Sequence, residues 1–402
     1  MVHRDQVHIS RDWVHALAAF ADEVRRFMTA RGLSLRGLSR AAGYDPSYLS
    51  KILNGRKPVS PHMAARLDDV LGAEGKISDA AQQVPASVSV RREASNRLPR
   101  RAVTGNDVNA VAETTKALRE LDNRFGGAHA HRLASDYLES SVMLLLRSGT
   151  YAEQVGRQLF GVAAQLAHLA AWTAYDTGDH QHAELYFTRA LELASAAGDD
   201  AFTAEILCAR SHRAIHLGLP GRAIELARAS QHAAARTGVF ALVAEAHELE
   251  ANGHALLGEG RACAISLREC ETAFGRSAPG DLPAWLGYFD NAYLAARFAH
   301  TLRDLGDWSE SERYALEASA MSGSLARAQA FNTALLATAY VETDFEQALS
   351  AGEQALSMAA GLQSGRMVRY ITDLRKRLQR RYGREPRARE FDRHASEMLG
   401  SS

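Results

Sequence analysis

The sequence is short of cysteine, net charge, β-branched residues and long apolar runs, and each shortage removes a class of protein. Three cysteines in 402 residues, Cys208, Cys263 and Cys270, cannot build a disulfide framework, and none has the spacing of a metal motif. They read as reduced core residues. Residues 1–12 alternate charge and histidine without an apolar segment, which argues against a secretory signal, and no later run is long enough to span a bilayer. The expectation is a cytoplasmic protein with no membrane contact. The 47 basic and 47 acidic residues cancel, so attraction to nucleic acid has to come from a local excess of positive charge. What is abundant is Ala and Leu, within a hydrophobic content of 46%, and that favours an all-α chain with ample core for two or three domains.

Charge is distributed unevenly. Residues 1–105 hold 17 Lys and Arg against 10 Asp and Glu, and the remainder holds 30 against 37. The segment 366–393 is again basic, 11 against 4, and reads as the solvated face of a last amphipathic helix with Val368, Ile371, Leu374 and Leu378 inward.

The basic N-terminal part contains the most specific pattern, Leu33 to Pro58. Leu35, Leu38 and Ala42 form one apolar stripe, Gly43 ends that short helix, and Leu49, Ile52 and Leu53 form a second stripe. Asp45 is placed to cap the second helix, Pro46 occupies its first position, and Asn54-Gly55 supplies a stop. An earlier helix, Trp13 to Arg31, carries Leu17, Phe20, Val24 and Phe27 on one face, and a later one runs from Ser60 to Leu71, giving a four-helix domain over residues 1–71. The second helix of the pair leaves Ser47, Ser50, Lys51 and Asn54 on an outward, small and polar face of the kind that enters a DNA major groove.

Over residues 13–71 this pattern resembles the Xre or lambda-repressor-like helix-turn-helix family. The resemblance implies that Pro46 to Leu53 is the recognition helix and that Ser47, Tyr48, Ser50 and Lys51 meet base edges or nearby phosphates of a double-stranded operator. Leu35 departs from the family, which often has Gln or another polar group there to reach a phosphate. Arg36, Arg40, Arg56 and Lys57 are the residues expected to supply backbone charge instead.

Residues 72–105 lose helical periodicity, scatter Gly, Ser, Ala and Pro85, and add Arg91-Arg92, Arg97 and Arg100-Arg101, which reads as a flexible basic linker. From 106 to 402 a helix, turn, helix unit recurs. Its clearest copy spans Ala170 to Leu193, with Gly178-Asp179 at the turn and Ala183, Phe187 and Ala190 spaced for close helix packing. Further turns fall at Gly218, Gly258, Gly306 and Asp344-Phe345, with a weaker copy at Gly149. The intervals from Gly149 are 29, 40, 40, 48 and 38 residues, longer and less regular than the 34 of tetratricopeptide repeats, which the unit resembles.

Stacked hairpins present a concave surface lined by the first helix of each pair. Projected from the turns, that lining carries Gln165, His168, Trp172 and Tyr175, then Glu205, His212 and His216, then Glu245, Glu248 and Asn252, then Tyr293, His300 and Arg303. Aromatic, amide and charged groups in one groove suit a peptide or small-molecule effector. No cofactor or metal site is expected: His212 and His216 share a helix face but lack a third ligand. Gly253, Gly258 and Gly260 lack the Lys-Ser and strand of a phosphate loop, and no Gly-x-Ser-x-Gly elbow occurs, so the chain reads as no enzyme.

The order of domains resembles actinobacterial Xre-type regulators with tetratricopeptide-like C-terminal halves, and peptide-pheromone sensors of similar architecture. It implies a homodimeric transcription regulator on a palindromic site, in some relatives tied to development or antibiotic production. A second reading is a protein-interaction adaptor whose acidic repeats recruit a partner while the N-terminal domain holds DNA weakly or not at all.

Overall fold

The structure is a computed structural model that describes residues 11–42, 44, 46–53, 61–83, 101–278, 280, 282–321 and 326–400. The chain divides into two compact units, 1–99 and 100–402. Among the described residues all regular structure is helical, apart from one isolated bridge between Ala102 and Thr150.

The first unit contains α1 (Arg11–Ala30), α2 (Leu35–Ala42), α3 (Pro46–Leu53), α4 (Pro61–Leu71) and α5 (Lys76–Gln83). Phe20 and Val24 of α1, Leu38 of α2, Leu49 and Ile52 of α3, and Leu67 and Leu71 of α4 are fully buried in one core. Helix α5 corrects the expectation that order stops at Leu71. Its Ile77 is fully buried, and the Asp68 carboxylate accepts hydrogen bonds from Gly75 N–H (3.0 Å) and Ser78 N–H (2.5 Å). A carboxylate at the start of a helix satisfies donors that the helix itself cannot, so Asp68 turns a polar, glycine-broken stretch into a docked fifth helix. The proposed cap Asp45 and stop Asn54-Gly55 lie outside the described residues, as does the linker segment 84–100.

The second unit opens with residues 101–103 pinned to the Gly149 corner, Val103 N–H donating to Thr150 O (2.8 Å) and Thr150 N–H to Arg101 O (3.1 Å). Helix α6 (Gly105–Phe125) precedes α7 (Gly127–Tyr137), which continues through a π-helical turn (Leu138–Val142) into α8 (Met143–Ser148). Gly149 therefore joins one hairpin to the next and is not the turn inside a copy. Six antiparallel pairs follow: α9 (Glu153–Thr177) with α10 (His180–Ala197), α11 (Asp200–His216) with α12 (Pro220–Ala234), α13 (Phe240–Leu256) with α14 (Gly260–Phe274), α15 (Asn291–Leu305) with α16 (Trp308–Met321), α17 (Ala326–Thr343) with α18 (Phe345–Ala359), and α19 (Gly365–Tyr382) with α20 (Pro386–Gly400). Gly178, Gly218, Gly258 and Gly306 end their helices with φ between 69° and 90°, a conformation that a Cβ would strain. The fully buried Ala183, Ala190, Ala223, Cys263, Ala315 and Ala348 let the second helices approach the first. In α19, Met367 takes the inward position expected for Val368, which is 39% exposed: the buried residues 367, 371, 374 and 378 follow a four-three-four spacing.

The hairpin array closes on itself. Asp176, near the end of α9 and fully buried, receives Ser364 Oγ–H (2.9 Å) and Gly127 N–H (3.0 Å) and pairs with Arg327 Nη2 (2.7 Å) and Arg366 Nε (3.3 Å). Arg327 Nη1 also reaches Asp122 of α6 at 2.9 Å. Main chain joins in, Gln363 N–H donating to Phe125 O at 3.0 Å. Gly126 has φ +90°, and a Cβ there would lie 2.6 Å from Gln363 O, so only glycine permits this approach. Partners as far apart in sequence as Phe125 and Gln363 thus form one clasp.

Candidate functional sites in the two units

In the first unit α2 and α3 form the two arms of a helix-turn-helix. Arg25 of α1 fixes the second arm from behind by donating to Leu53 O (2.8 Å), one of the carbonyls that a helix end leaves without a partner. Arg36 and Arg40 are exposed on α2. Leu35 packs against the core, which accounts for an apolar residue at that position. Ser50 is half-buried. Ser47, Tyr48 and Lys51 belong to α3, the helix on which the motif places them, and Asn54, Arg56 and Lys57 lie outside the described residues.

In the second unit the first helices of the hairpins, with α6, line a partly open cavity of about 540 Å3. His168, Trp172, Glu205, His212, Glu245, Tyr293 and His300 from the expected set line it. The long interval between Gly258 and Gly306 is explained by the segment before α15, which inserts into the concave side. Its Trp285 meets Phe202 edge to face (5.1 Å), and its Tyr288 reaches the glutamates of α11 and α13.

The remaining candidates serve the walls. Tyr175 is buried, with His216 packed edge-on against it at 5.2 Å. Glu248 is held by Arg297 Nε (2.8 Å) and Thr301 Oγ1 (2.7 Å). Asn252 Nδ2 and Arg303 Nη2 both donate to Asp304, at 3.0 and 2.7 Å. Gln165 is half-buried and outside the lining. The cavity lies level with residues 205–212 of α11 and 245 of α13, so groups nearer those helix ends are spent on pairing between helices. Among the described residues no group of three His, Cys, Asp or Glu is arranged to hold a metal ion.

Two features of the cavity involve unsatisfied electrostatics. Tyr288 Oη lies 2.9 Å from Glu205 Oε2 and 2.9 Å from Glu245 Oε2. A hydroxyl has one proton to give, so one carboxyl must be protonated and donate to the tyrosine oxygen. Burial pushes Glu205 up to about 7, and burial together with the Glu205 charge raises Glu245 further above the usual carboxylate range. His168 is the second feature: neither ring nitrogen has a hydrogen-bond partner, and burial lowers its pKa to about 3, so the ring is neutral.

Sequence reasoning missed the arginines. Arg297, Arg327 and Arg366 line the cavity with Tyr370 and Phe331. The charge pattern of 366–393 puts Arg366 on a solvated basic face, yet its guanidinium is wedged among aromatic rings, 4.8 Å from the Phe331 centroid, 5.1 Å from Trp172 and 5.4 Å from Tyr175. The one available signal was its place at the start of α19, at the inner end of a new hairpin.

Residues 19–77 match the family model described as a helix-turn-helix domain. That match runs past Leu71 to Ile77, in keeping with the docking of α5. Among curated proteins none matches the chain. Among solved structures the tetratricopeptide-repeat domain of P58(IPK) is similar along 96% of this chain and 98% of that one, at 14% identity and a TM-score of 0.23. The description of the second unit as stacked helical hairpins rests on its own packing.

Proposed function

We propose that this chain is a sequence-specific DNA-binding transcription regulator of the Xre type, cytoplasmic, whose hairpin unit admits a small effector into the cavity. The helix-turn-helix carries the proposal: α3 is set on a core from behind by Leu49, Ile52 and the Arg25 bond to Leu53 O, leaving basic Arg36 and Arg40 exposed on the other arm. A homodimer would set two recognition helices about 34 to 36 Å apart on a palindromic operator. A partly open cavity of about 540 Å3 with unsatisfied polar groups supports the effector, since ligand cavities are mostly apolar with a few converging polar groups.

The test is selection of binding sites from random duplex DNA with the full chain, followed by anisotropy titrations across salt. A palindromic consensus, bound at least a thousandfold more tightly than scrambled DNA and weakening steeply with salt, is the expected result. Equal affinity for all sequences, or none at physiological salt, would favour the adaptor.

A further inference from the structure

The last hairpin is the basic part of an otherwise acidic unit. Residues 366–393 hold 11 Lys and Arg against 4 Asp and Glu, and setting them apart leaves 19 against 33 for the rest of 106–402. Ion pairs divide the cations of this hairpin into two groups. Arg375, Arg377, Arg381, Arg387 and Arg393 each face a carboxylate, those of Asp392, Asp373, Glu342, Glu346 and Glu397 in turn. Arg369, Lys376, Arg380 and Arg384 face none among the described residues, and all four are exposed. Arg369, Lys376 and Arg380 stand seven and four residues apart on α19, away from the buried Ile371, Leu374 and Leu378, so they share one outward face. Arg384 follows at the corner, where Arg389, itself exposed, donates to its carbonyl at 2.7 Å. Glu385 is exposed at the same corner and pairs with none of them. Thr372 and Gln379 lie beside the row, and the groove they line with it includes Asp392, whose charge Arg375 Nε already meets at 2.8 Å.

Like charges four residues apart on a helix repel, so the row is stabilised when a chain of anions lies along it. Its surroundings favour a nucleic acid over an acidic protein. A protein interface is centred on apolar and aromatic side chains, yet Val368 is the only exposed large apolar residue on α19 or α20 among the described residues. Phosphate binding needs little besides charge, because neutralised phosphates release their counterions. The acidic remainder of the unit repels a duplex, which leaves the row as the face able to approach one.

Resting on the reading that the first unit binds an operator, we propose that the α19 row is a second, sequence-independent DNA contact, made to backbone phosphates of the same duplex. Linkage through one chain raises its effective concentration at bound DNA, so individually weak contacts add affinity without adding sequence choice.

The test compares two triple variants of the full chain that remove the same net charge from exposed positions. One neutralises the row, Lys376→Gln, Arg380→Gln and Arg384→Gln, and the other neutralises paired cations, Arg381→Gln, Arg387→Gln and Arg393→Gln. Circular dichroism checks that both fold, and anisotropy is titrated across salt on a duplex extending well past the selected operator. The row variant should lower the salt slope by about 2 to 3 and the affinity at least tenfold, with the preference for operator over scrambled DNA unchanged. The paired variant should lower the slope by less than half as much. A row variant with the slope of the unmodified chain, or equal slopes in the two variants, would overturn the second contact while leaving operator binding in place. Loss of self-association in the row variant at an unchanged slope would assign the row to a second copy and overturn the proposal too. A full chain that binds no DNA would overturn both readings.

Discussion

Asp176→Asn is the sharpest test of how the hairpin unit is held shut. The substitution keeps shape and removes one charge. On one side the Asp176 carboxylate accepts from Ser364 and pairs with two guanidiniums, and on the other it accepts from Gly127 N–H. An amide has a single acceptor, so whichever way it turns, its NH2 must face a donor, and Arg327 and Arg366 lose most of their compensation. Breaking a buried pair in this way costs about 3 to 5 kcal/mol. At roughly 2 °C per kcal/mol for a unit of this size, the melting temperature should fall by about 6 to 10 °C. Asp122→Asn, which leaves Arg327 its bond to Asp176, should cost less than half as much. Hydrogen exchange localises the effect: protection should be lost first at Gly127 and Gln363, the amides that join the ends. A shift under about 2 °C with those amides still protected would refute the clasp, and so would equal effects of the two variants.

Other outcomes follow from the same geometry. Glu205, raised from 4.5 to about 7, favours the folded state only as the acid. Its advantage is complete below about pH 4.5 and disappears as pH rises through about 7, a loss on the order of 3 kcal/mol. Glu205→Gln should therefore flatten the decline in melting temperature between pH 5 and 8, and an unchanged decline would contradict the shared proton. Ile77→Ala should destabilise the helix-turn-helix unit by about 2 to 5 kcal/mol in urea titrations, which a dispensable linker residue would not do. Arg40→Ala should weaken all DNA sequences alike and lower the salt slope by about 1, whereas Lys51→Ala should cost about 1 to 3 kcal/mol and relax sequence choice. Anisotropy titrations across salt and sequence separate the two.

The helix-turn-helix was readable because apolar spacing, a proline at a first helical position and a closing glycine agree within 26 residues. The hairpins were readable for a similar reason, since Ala183, Phe187 and Ala190 report a local packing rule. Helix α5 escaped because its stabilising group, Asp68, lies on the preceding helix, and composition alone resembles a linker. The cavity wall was half visible. A helical projection from each turn finds His168, Trp172 and Glu205, but it has no access to partners brought from 188 residues away, and so it left Arg366 on a solvated surface. The inserted Tyr288 was hidden in an interval that merely looked too long.

The clasp also sets an order of events during synthesis. Asp176 is made long before Ser364 and Arg366, and at about 5 to 20 residues per second the intervening 188 residues take roughly 10 to 40 s. Through that time the helices from α9 onward can form from neighbouring contacts, while an aspartate destined for complete burial still faces water or whatever chaperone attends the ribosome. The cavity comes into existence only when the next-to-last hairpin is joined by α19, which supplies Arg366 and Tyr370 to its wall, so a chain ending before α19 would lack that side of it.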